Sequence, residues 1–356
     1  ALHRPTASIT APTITVPARP GTGSGGAGSA GSGSGGALDL QSVVSRVSPA
    51  IVDINTQLAS INGTTGQAAG TGMIVTSSGE VLTNNHVVKG AASIKVTVAG
   101  HDGSYAATVK GVDPAQDVAL LQIQGLNNLP TVKLGNTSNL QVGQPVIAIG
   151  NALGQGGAPA VTQGTITGLD QSITAGVGNG SSEQLVGLIE SNAPISPGDS
   201  GGALVNQAAQ VVGMITAGSS ASRRSTTSVD GFAVPASTAA TVLDTIRSGH
   251  ESGTVLIGPR GYLGVGVQTL DPAVASQLGA SAGVEVTGVA PGSPAASAGI
   301  TSPAVITAID GQSISSLDDL GSAIQAHRPG DSISVTWLDR SGTHTAKATL
   351  VAGPSV

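Results

Sequence analysis

The stretch Ser196-Pro197-Gly198-Asp199-Ser200-Gly201-Gly202 predicts more about this chain than any other segment. A serine hydroxyl attacks a carbonyl efficiently only when a nearby base takes its proton, and the oxyanion that forms needs hydrogen-bond donors. Glycines let the backbone turn tightly here, so the N–H groups of Gly198 and Ser200 can point into one oxyanion hole formed by Gly198, Asp199 and Ser200. The stretch therefore predicts a nucleophilic Ser200, with an ordinary glycine turn as the alternative.

A histidine and an aspartate upstream are the predicted base and acid. His86 lies in Thr83-Asn84-Asn85-His86-Val87-Val88, at the end of a predicted strand. Asp117 opens the apolar strand Val118-Ala119-Leu120-Leu121, where a carboxylate can orient the imidazole and stabilise its cation. Asp113 is the competing acid, but the proline that follows it is typical of a turn.

The composition favours sheets and excludes several chemistries. Aromatic residues make up 1% of the 356 residues, so Val, Ile, Leu and Ala must build the core in thin, β-branched layers. The absence of cysteine excludes disulfides, thiolate zinc sites and a cysteine nucleophile. A net charge of -6 without a basic run excludes a nucleic-acid partner. Nothing resembles a metal site or a nucleotide-binding loop, so no cofactor is predicted.

The chain divides into three predicted parts. Residues 1–37 are rich in Pro, Gly and Ser and cannot bury a core, which predicts a disordered linker or stalk. Residues 38–250 hold many short apolar runs separated by Gly, Asn and Ser, which predict a β-barrel or sandwich. Residues 258–353 form a second, smaller unit beyond a glycine-bearing junction. The start at Ala1 instead of Met suggests that a leader, a membrane anchor or a larger N-terminal part was removed or left out, with an arbitrary boundary as the alternative.

Helical spacing of apolar residues predicts a helix on each side of the strand-rich part. The first carries Leu40, Val43, Val44 and Val47 and is ended by Pro49. The second buries a face made of Ala239, Val242, Leu243 and Ile246.

The motifs in the order His, Asp, Ser resemble the HtrA (DegP/DegQ-type) branch of the chymotrypsin-like serine proteases, over roughly residues 38–353. Besides the histidine and serine segments, the resemblance rests on Asp113-Pro114-Ala115-Gln116-Asp117-Val118-Ala119-Leu120-Leu121, Gly150-Asn151-Ala152-Leu153-Gly154, Thr165-Ile166-Thr167-Gly168 and Gly231-Phe232-Ala233-Val234-Pro235. It implies a mainly β fold, in which a double six-stranded β-barrel holds the triad His86, Asp117 and Ser200 in the cleft between the barrels. Loops near residues 151–164 and 218–230 would regulate the site.

By the same resemblance, the chain is an ATP-independent endopeptidase that degrades misfolded or unfolded proteins in the cell envelope, outside the cytoplasm. The pocket for the substrate's P1 side chain would be lined by Ile195, Met214, Ile215 and Thr216. Because no acid or base is evident there, we expect cleavage after Val, Ala, Ile or Leu and not after Lys or Arg.

Two features depart from the usual pattern of that family. Asp199 stands where these proteases commonly have Asn, and Asp is the residue of trypsins that are activated by cleavage. Trimers in many relatives use N-terminal aromatic residues, whereas no aromatic residue precedes Tyr105 here. A homotrimer is therefore compatible with the resemblance but has little support in this sequence.

The second unit resembles a PDZ domain, a small α+β fold. Arg260-Gly261-Tyr262-Leu263-Gly264-Val265 resembles the loop whose N–H groups receive a peptide's C-terminal carboxylate while the peptide adds a strand. A helix predicted from Leu317 to His327 would place Leu317, Leu320 and Ile324 along the groove. Hydrophobic C-terminal peptides, which would regulate the protease, are the predicted partners together with unfolded proteins.

Two other functions stay open at this point. A non-proteolytic chaperone or PDZ adaptor could hold unfolded chains while the triad rests in a misaligned geometry. A secreted digestive peptidase with a vestigial PDZ domain would need no regulation at all.

Overall fold

The computed structural model describes residues 40–58, 66–151, 157–176, 182–218 and 231–354. The stalk predicted at residues 1–37 lies outside these ranges, as do residues 152–156 and 219–230 of the two predicted regulatory loops. Among the described residues, no helix has both the length and the apolar character needed to cross a membrane.

Six strands form a first closed barrel: β1 (Ile51–Leu58), β2 (Gln67–Ile74), β3 (Glu80–Thr83), β4 (Ala91–Val98), β5 (Tyr105–Asp113) and β6 (Val118–Ile123). They pair in the order β5-β4-β1-β2-β3-β6, and a further pairing of β5 with β6 closes the ring. Ile54, Leu82 and Leu120 are fully buried inside, because alternate side chains of a barrel strand face the interior.

Two helices accompany this barrel. Helix α1 (Leu40–Val47) buries Val43 and Val47 against it and passes into a 3₁₀ turn at Ser48–Ala50, which contains Pro49. The first predicted helix is thereby confirmed. Helix α2 (Asn85–Val88) is a single turn that follows β3 directly.

The second barrel uses the next strands: β7 (Lys133–Leu134), β8 (Pro145–Gly150), β9 (Ala160–Gly176), β10 (Ser182–Ser191), β11 (Ala203–Val205), β12 (Gln210–Gly218) and β13 (Gly231–Pro235). Six of them pair in the order β11-β8-β9-β10-β13-β12, and β11 pairs with β12 to close the ring, while β7 adds a parallel edge to β12. The predicted double six-stranded barrel is confirmed.

Helix α3 (Ala236–Ser248) lies against strands of both barrels, β5 and β6 of the first and β12 and β13 of the second. Its predicted apolar face, from Ala239 to Ile246, is buried. The helix ends at Gly249, whose φ of 74° is the left-handed cap that glycine adopts most readily.

The C-terminal part has its own hydrophobic core, formed by residues between Leu263 and Leu350. Its elements are β14 (Leu256–Ile257), β15 (Gly261–Tyr262), β16 (Val265–Thr269), α4 (Pro272–Leu278), β17 (Val284–Val289), α5 (Pro294–Ala298), β18 (Ala304–Ile309), β19 (Gln312–Ser313), α6 (Leu317–Gln325), β20 (Ser332–Asp339), β21 (Gly342–Thr349) and β22 (Val351–Ala352). The main sheet runs β16-β17-β18-β20-β21, so the predicted small α+β unit is confirmed. Strand β14 is the exception, because it pairs with β5 of the first barrel.

Candidate active site

The turn before Asp117 sets the position of its carboxylate. Strand β5 ends at Asp113, and a 3₁₀ turn, Pro114–Gln116, leads to Asp117, which has the left-handed φ of 53°. One oxygen of the Asp113 side chain, Oδ1, accepts hydrogen bonds from the N–H groups of Ala115 at 3.1 Å and Gln116 at 3.2 Å. Asp113, the competing acid in the sequence, is therefore the residue that fixes this turn.

His86 lies opposite the Asp117 carboxylate at the start of the α2 turn. Its Nδ1 is 2.8 Å from Asp117 Oδ2, and its backbone N–H donates to Asp117 Oδ1 at 2.9 Å. The Asn84 side chain donates to the Asp117 carbonyl at 2.9 Å. Asp117 is buried, whereas the His86 side chain is 35% exposed. A buried acid thus holds the ring of a solvent-accessible base.

Thr216 connects this pair to the serine. Its hydroxyl donates to Asp117 Oδ2, and its carbonyl accepts a hydrogen bond from Ser200 Oγ at 3.2 Å. The structure therefore brings His86, Asp117 and Ser200 into one site. The sequence pattern assigned Thr216 only to the P1 pocket, and no local signal indicates its contact with an aspartate 99 positions away.

Backbone contacts hold the serine loop against both barrels. The Ser200 carbonyl accepts from the N–H of Thr71 at 2.8 Å, and the N–H of Gly201 donates to the Ile215 carbonyl at 2.8 Å. Gly201 has a φ of 87°, and a Cβ at this position would lie 1.9 Å from the Thr71 carbonyl oxygen. Only glycine fits this position, which explains the first glycine after the serine.

Of the three backbone N–H groups predicted to form the oxyanion hole, one is already hydrogen-bonded within the loop. The N–H of Asp199 donates to the Ser196 carbonyl at 3.0 Å, so it closes the loop and does not face a ligand. Within the described part of the chain, the N–H groups of Gly198 and Ser200 have no hydrogen-bond acceptor. These two backbone donors, on either side of Asp199, are the ones that an incoming oxyanion could use.

Thr71 of β2 is a functional candidate that the sequence pattern did not indicate. Its hydroxyl donates to the Gly198 carbonyl at 2.7 Å and accepts from the N–H of Asn151 at 2.9 Å. Its carbonyl accepts from the Thr83 hydroxyl at 2.7 Å. Thr71 thus joins the first barrel to the serine loop and to the end of β8. A polar side chain between Gly70 and Gly72 was the only signal in the sequence.

The Asp199 carboxylate is buried beside the serine. Its Oδ2 accepts from the N–H of Ser196 at 2.7 Å, but its Oδ1 has no hydrogen-bond partner. A Cβ on Gly150 would lie 2.7 Å from this Oδ1, so the oxygen packs directly on the backbone of β8. Burial raises the pKa of Asp199, and the Ser196 hydrogen bond only partly opposes that effect.

A second buried carboxylate lies at the same end of β8. The side chain of Asn151 donates to Asp53 Oδ1 in β1, and burial raises the pKa of Asp53 against that hydrogen bond. Asn151 therefore contacts the first barrel through its side chain and Thr71 through its backbone.

Comparison with known proteins identifies both halves of the chain. Residues 70–214 match the trypsin-like peptidase domain family, and residues 261–350 match the PDZ domain family. Two solved structures of the HtrA-type protease AlgW with a decapeptide, one of them of a variant, are 30% identical to this chain, with TM-scores of 0.50 and 0.51. They align with 89% of this chain and with 99% and 98% of their own. The chain belongs to the HtrA-type protease family.

Curated relatives agree with this membership in the HtrA-type family. Serine protease PepD of Mycobacterium tuberculosis is 34% identical over 325 residues, which are 87% of this chain and 66% of PepD. A probable periplasmic serine endoprotease, DegP-like, of Chlamydia muridarum is 38% identical over 73% of this chain and 49% of its own length. The chain thus spans from about half to about two thirds of the length of these relatives. The family prediction from the sequence is confirmed.

The apolar residues predicted to line the P1 pocket belong to two different hydrophobic clusters in this HtrA-type chain. Ile215 is buried in the core of the second barrel, and Ile195 packs partly buried against the same cluster. Met214 is buried in the cluster that includes the first barrel and α3. Because successive side chains of a strand face opposite sides, Met214 and Ile215 cannot both face one pocket. The Thr216 hydroxyl donates a hydrogen bond to Asp117.

The predicted peptide site of the PDZ domain lies at a free sheet edge. Among the described residues, β16, which begins at Val265, pairs only with β17, and α6 lies beside it. Gly264 has a φ of 82°, and a Cβ there would lie 2.2 Å from the Cβ of Ser293. Leu263 is buried under this turn, and Tyr262 lies in β15, which pairs with β22.

Helix α6 ends at Gln325, two residues before the predicted end. Of its predicted groove residues, Leu320 is 3% exposed and belongs to the domain core, where it holds the helix on the sheet. Leu317 and Ile324 are only partly buried against that core.

Proposed function

We propose that this chain is an ATP-independent serine endopeptidase with His86, Asp117 and Ser200 as its catalytic triad. The observation that carries the proposal is the continuous contact from base to acid to serine. Asp117 Oδ2 is 2.8 Å from His86 Nδ1 and also accepts the Thr216 hydroxyl, while the Thr216 carbonyl accepts the Ser200 hydroxyl at 3.2 Å. Family membership supports the same chemistry.

In the proposed first step, Ser200 Oγ exchanges its hydrogen bond to Thr216 for one to His86 Nε2. The imidazole then takes the hydroxyl proton as Oγ attacks the scissile carbonyl, and Asp117 stabilises the imidazolium through Nδ1–H. The N–H groups of Gly198 and Ser200 bind the oxyanion. His86 returns the proton to the leaving amine, and a water repeats the sequence on the acyl-enzyme to release the second product.

We propose cleavage after small aliphatic residues. Ile195 is only partly buried against the core of the second barrel, and it and the other proposed pocket residues, Met214, Ile215 and Thr216, are uncharged. An apolar P1 side chain suits such surroundings, whereas Lys or Arg would be buried there without a partner.

The PDZ domain, with proposed limits 258–353 behind a protease domain at 38–250, is proposed to bind hydrophobic C-terminal peptides and to regulate cleavage. A peptide that adds a strand to β16 would lie beside α6, with its carboxylate at the turn of Gly264. The related AlgW was solved with a decapeptide, which supports a peptide ligand here.

The proposed substrates are unfolded or misfolded proteins of the cell envelope. The Chlamydia muridarum relative is a probable periplasmic endoprotease, which supports a location outside the cytoplasm. Of the proposed regulatory loop at residues 218–230, residues 219–230 lie outside the described ranges.

The test is hydrolysis of unfolded casein by the protein and by Ser200→Ala, without ATP or added metal, with cleavage sites mapped by mass spectrometry. We expect the substitution to lower the rate by at least about 10³-fold, because the nucleophile is lost. Ser93→Ala, which removes an exposed hydroxyl in β4, is the matched control and should keep its activity.

Each outcome has a separate meaning. Equal cleavage by the protein and by Ser200→Ala would contradict the triad. Cleavage after Arg alone would contradict the proposed pocket. If neither protein cleaves, even with a hydrophobic C-terminal peptide added, the chain acts as a chaperone or PDZ adaptor instead.

A further inference from the structure

The segment that joins the two domains, residues 249–258, is built into the first barrel. This interdomain segment contains β14, which pairs with β5 at Gly111 and Val112. The N–H of Gly258 donates to the Lys110 carbonyl at 2.9 Å. A Cβ on Gly111 would lie 2.8 Å from the Leu256 carbonyl oxygen, so the two backbones are in close contact. The segment is thus a seventh strand on the edge of β5, the strand that leads to Asp117.

One side chain of this segment touches the turn that sets the acid. The Thr254 hydroxyl donates to Asp113 Oδ1 at 2.6 Å. The same oxygen receives the N–H groups of Ala115 and Gln116, which form the turn directly before Asp117. Because three donors share one carboxylate oxygen, the orientation of the Asp113 side chain depends on Thr254 as well as on the turn.

The PDZ side of the molecule holds the same segment in place. Glu251 Oε1 accepts from the N–H of Ile257 at 2.7 Å, from Arg328 at 2.8 Å and from Arg260. Arg260 is buried and also donates to the carbonyl of Gln325 at 3.2 Å, the last residue of α6. In the sequence, Thr254 therefore lies between Glu251, which contacts two arginines of the PDZ side, and strand β14, which pairs with the first barrel.

We propose that Thr254 is a positioning residue of the protease site, which orients Asp113 and, through the turn at Pro114–Gln116, sets the Asp117 carboxylate against His86. The inference rests on the proposed function in one respect, since it takes Asp117 as the catalytic acid. It means that docking of the interdomain segment, and with it of the PDZ domain, supports the geometry of the triad.

The test compares Thr254→Val, which keeps the shape and removes the hydroxyl, with Thr254→Ser, which restores it. Steady-state cleavage of a peptide with a small aliphatic P1 residue gives kcat and KM, and thermal unfolding gives Tm. We expect kcat of Thr254→Val to fall about three- to tenfold, as for one lost hydrogen bond, with KM nearly unchanged and kcat restored by serine. Thr241→Val is the matched control, because its hydroxyl donates only along α3 to Ser237.

A kcat of Thr254→Val equal to that of Thr241→Val would overturn the proposal. A fall in kcat that follows a loss of folded protein, seen as a Tm below the assay temperature, would overturn it as well, since the role would be structural. If the wild-type protein is inactive, that result would contradict the proposed function but not the positioning role of the Thr254–Asp113 hydrogen bond. In that case the ¹⁵N and proton signals of the His86 ring decide: they should shift in Thr254→Val, and unchanged signals would refute the positioning role.

Discussion

The site contains two buried carboxyl groups, Asp117 beside the base and Asp199 beside the serine, and they differ in how many of their oxygens are hydrogen-bonded. Both oxygens of Asp117 have donors, which are the His86 backbone and ring nitrogens and the Thr216 hydroxyl. Asp199, the neighbour of Ser200, is 6% exposed, yet only one of its oxygens has a partner. The acid side is fully hydrogen-bonded, whereas the serine loop contains a buried carboxyl group with one oxygen that has no partner among the described residues.

This difference indicates where the site can be changed. A buried carboxylate is stable as an anion only when donors replace its lost hydration. The His86–Asp117 pair meets that condition in the structure. The carboxyl group of Asp199 does not meet it, because one of its oxygens has no donor. A small change around that oxygen would therefore change the free energy of the folded protein. We therefore expect Asp117→Asn to abolish activity and Asp199→Asn to change mainly the stability of the protein.

Asp117→Asn disrupts the hydrogen bond between Asp117 and the His86 ring, and of the substitutions discussed it should lower activity most. An amide nitrogen in place of Oδ2 donates instead of accepting, so it would hold His86 in the tautomer whose Nε2 carries the proton. That ring cannot take a proton from Ser200, and we expect kcat to fall on the order of 10⁴-fold. Steady-state peptide cleavage measures the effect.

Asp102→Asn, an exposed aspartate of the first barrel, is the control for that substitution. Its kcat should equal that of the unchanged protein. Retention of more than a tenth of the activity in Asp117→Asn would mean that another group orients His86.

Thr71→Val tests the contact that joins the first barrel to the serine loop, and its expected effect is intermediate. The substitution leaves the N–H of Asn151 and the carbonyl of Gly198 without their shared partner. We expect kcat/KM to fall about tenfold or more, because a displaced Gly198 misplaces one oxyanion donor. Thr56→Val is the matched control, since its buried hydroxyl donates to Ala68 within the barrel wall. Equal losses of activity in both variants would refute a specific role for Thr71.

The local features of the site were predictable from the sequence, because short-range rules determine them. The glycine-rich turn around Ser200, in which Gly201 has a positive φ, and Asp113 before a proline are typical of the local turns that the structure contains. Helices α1 and α3 follow from apolar spacing. These features depend on neighbours within a few residues, and the resemblance to the HtrA family supplied the barrel topology.

The contacts made by three threonines were not predictable. Thr71 reaches Gly198 over 127 positions, Thr216 reaches Asp117 over 99, and Thr254 reaches Asp113 over 141. Such pairs depend on strand register and on the packing of one barrel against the other, which no local pattern encodes. The same reason places Met214 and Ile215 in different hydrophobic clusters, since successive side chains of a strand face opposite sides.

Asp199→Asn tests whether the unpaired oxygen of Asp199 destabilises the protein. Of the substitutions discussed, it should change the protein least. Burial raises the pKa of Asp199 above the ordinary 3.8, so the folded protein binds this proton more tightly than the unfolded chain. The stabilisation from protonation is complete below that ordinary value and is lost as the pH rises through the raised pKa, which leaves a destabilising anion near neutral pH. Asn does not titrate, so we expect the variant to be more stable by about 1 kcal/mol near pH 7.

The gain should shrink between pH 7 and the ordinary pKa of 3.8, because the raised pKa of Asp199 makes its carboxyl group mostly neutral at the lower pH. Urea unfolding at both pH values measures the two differences, and Asp244→Asn, with an 81% exposed side chain, controls for the loss of a negative charge. A gain that is equal at both pH values would show that the charge of Asp199 is not its source. A loss of stability near pH 7 would mean that Oδ1 has a donor in solution, and the two carboxylates would then be held alike.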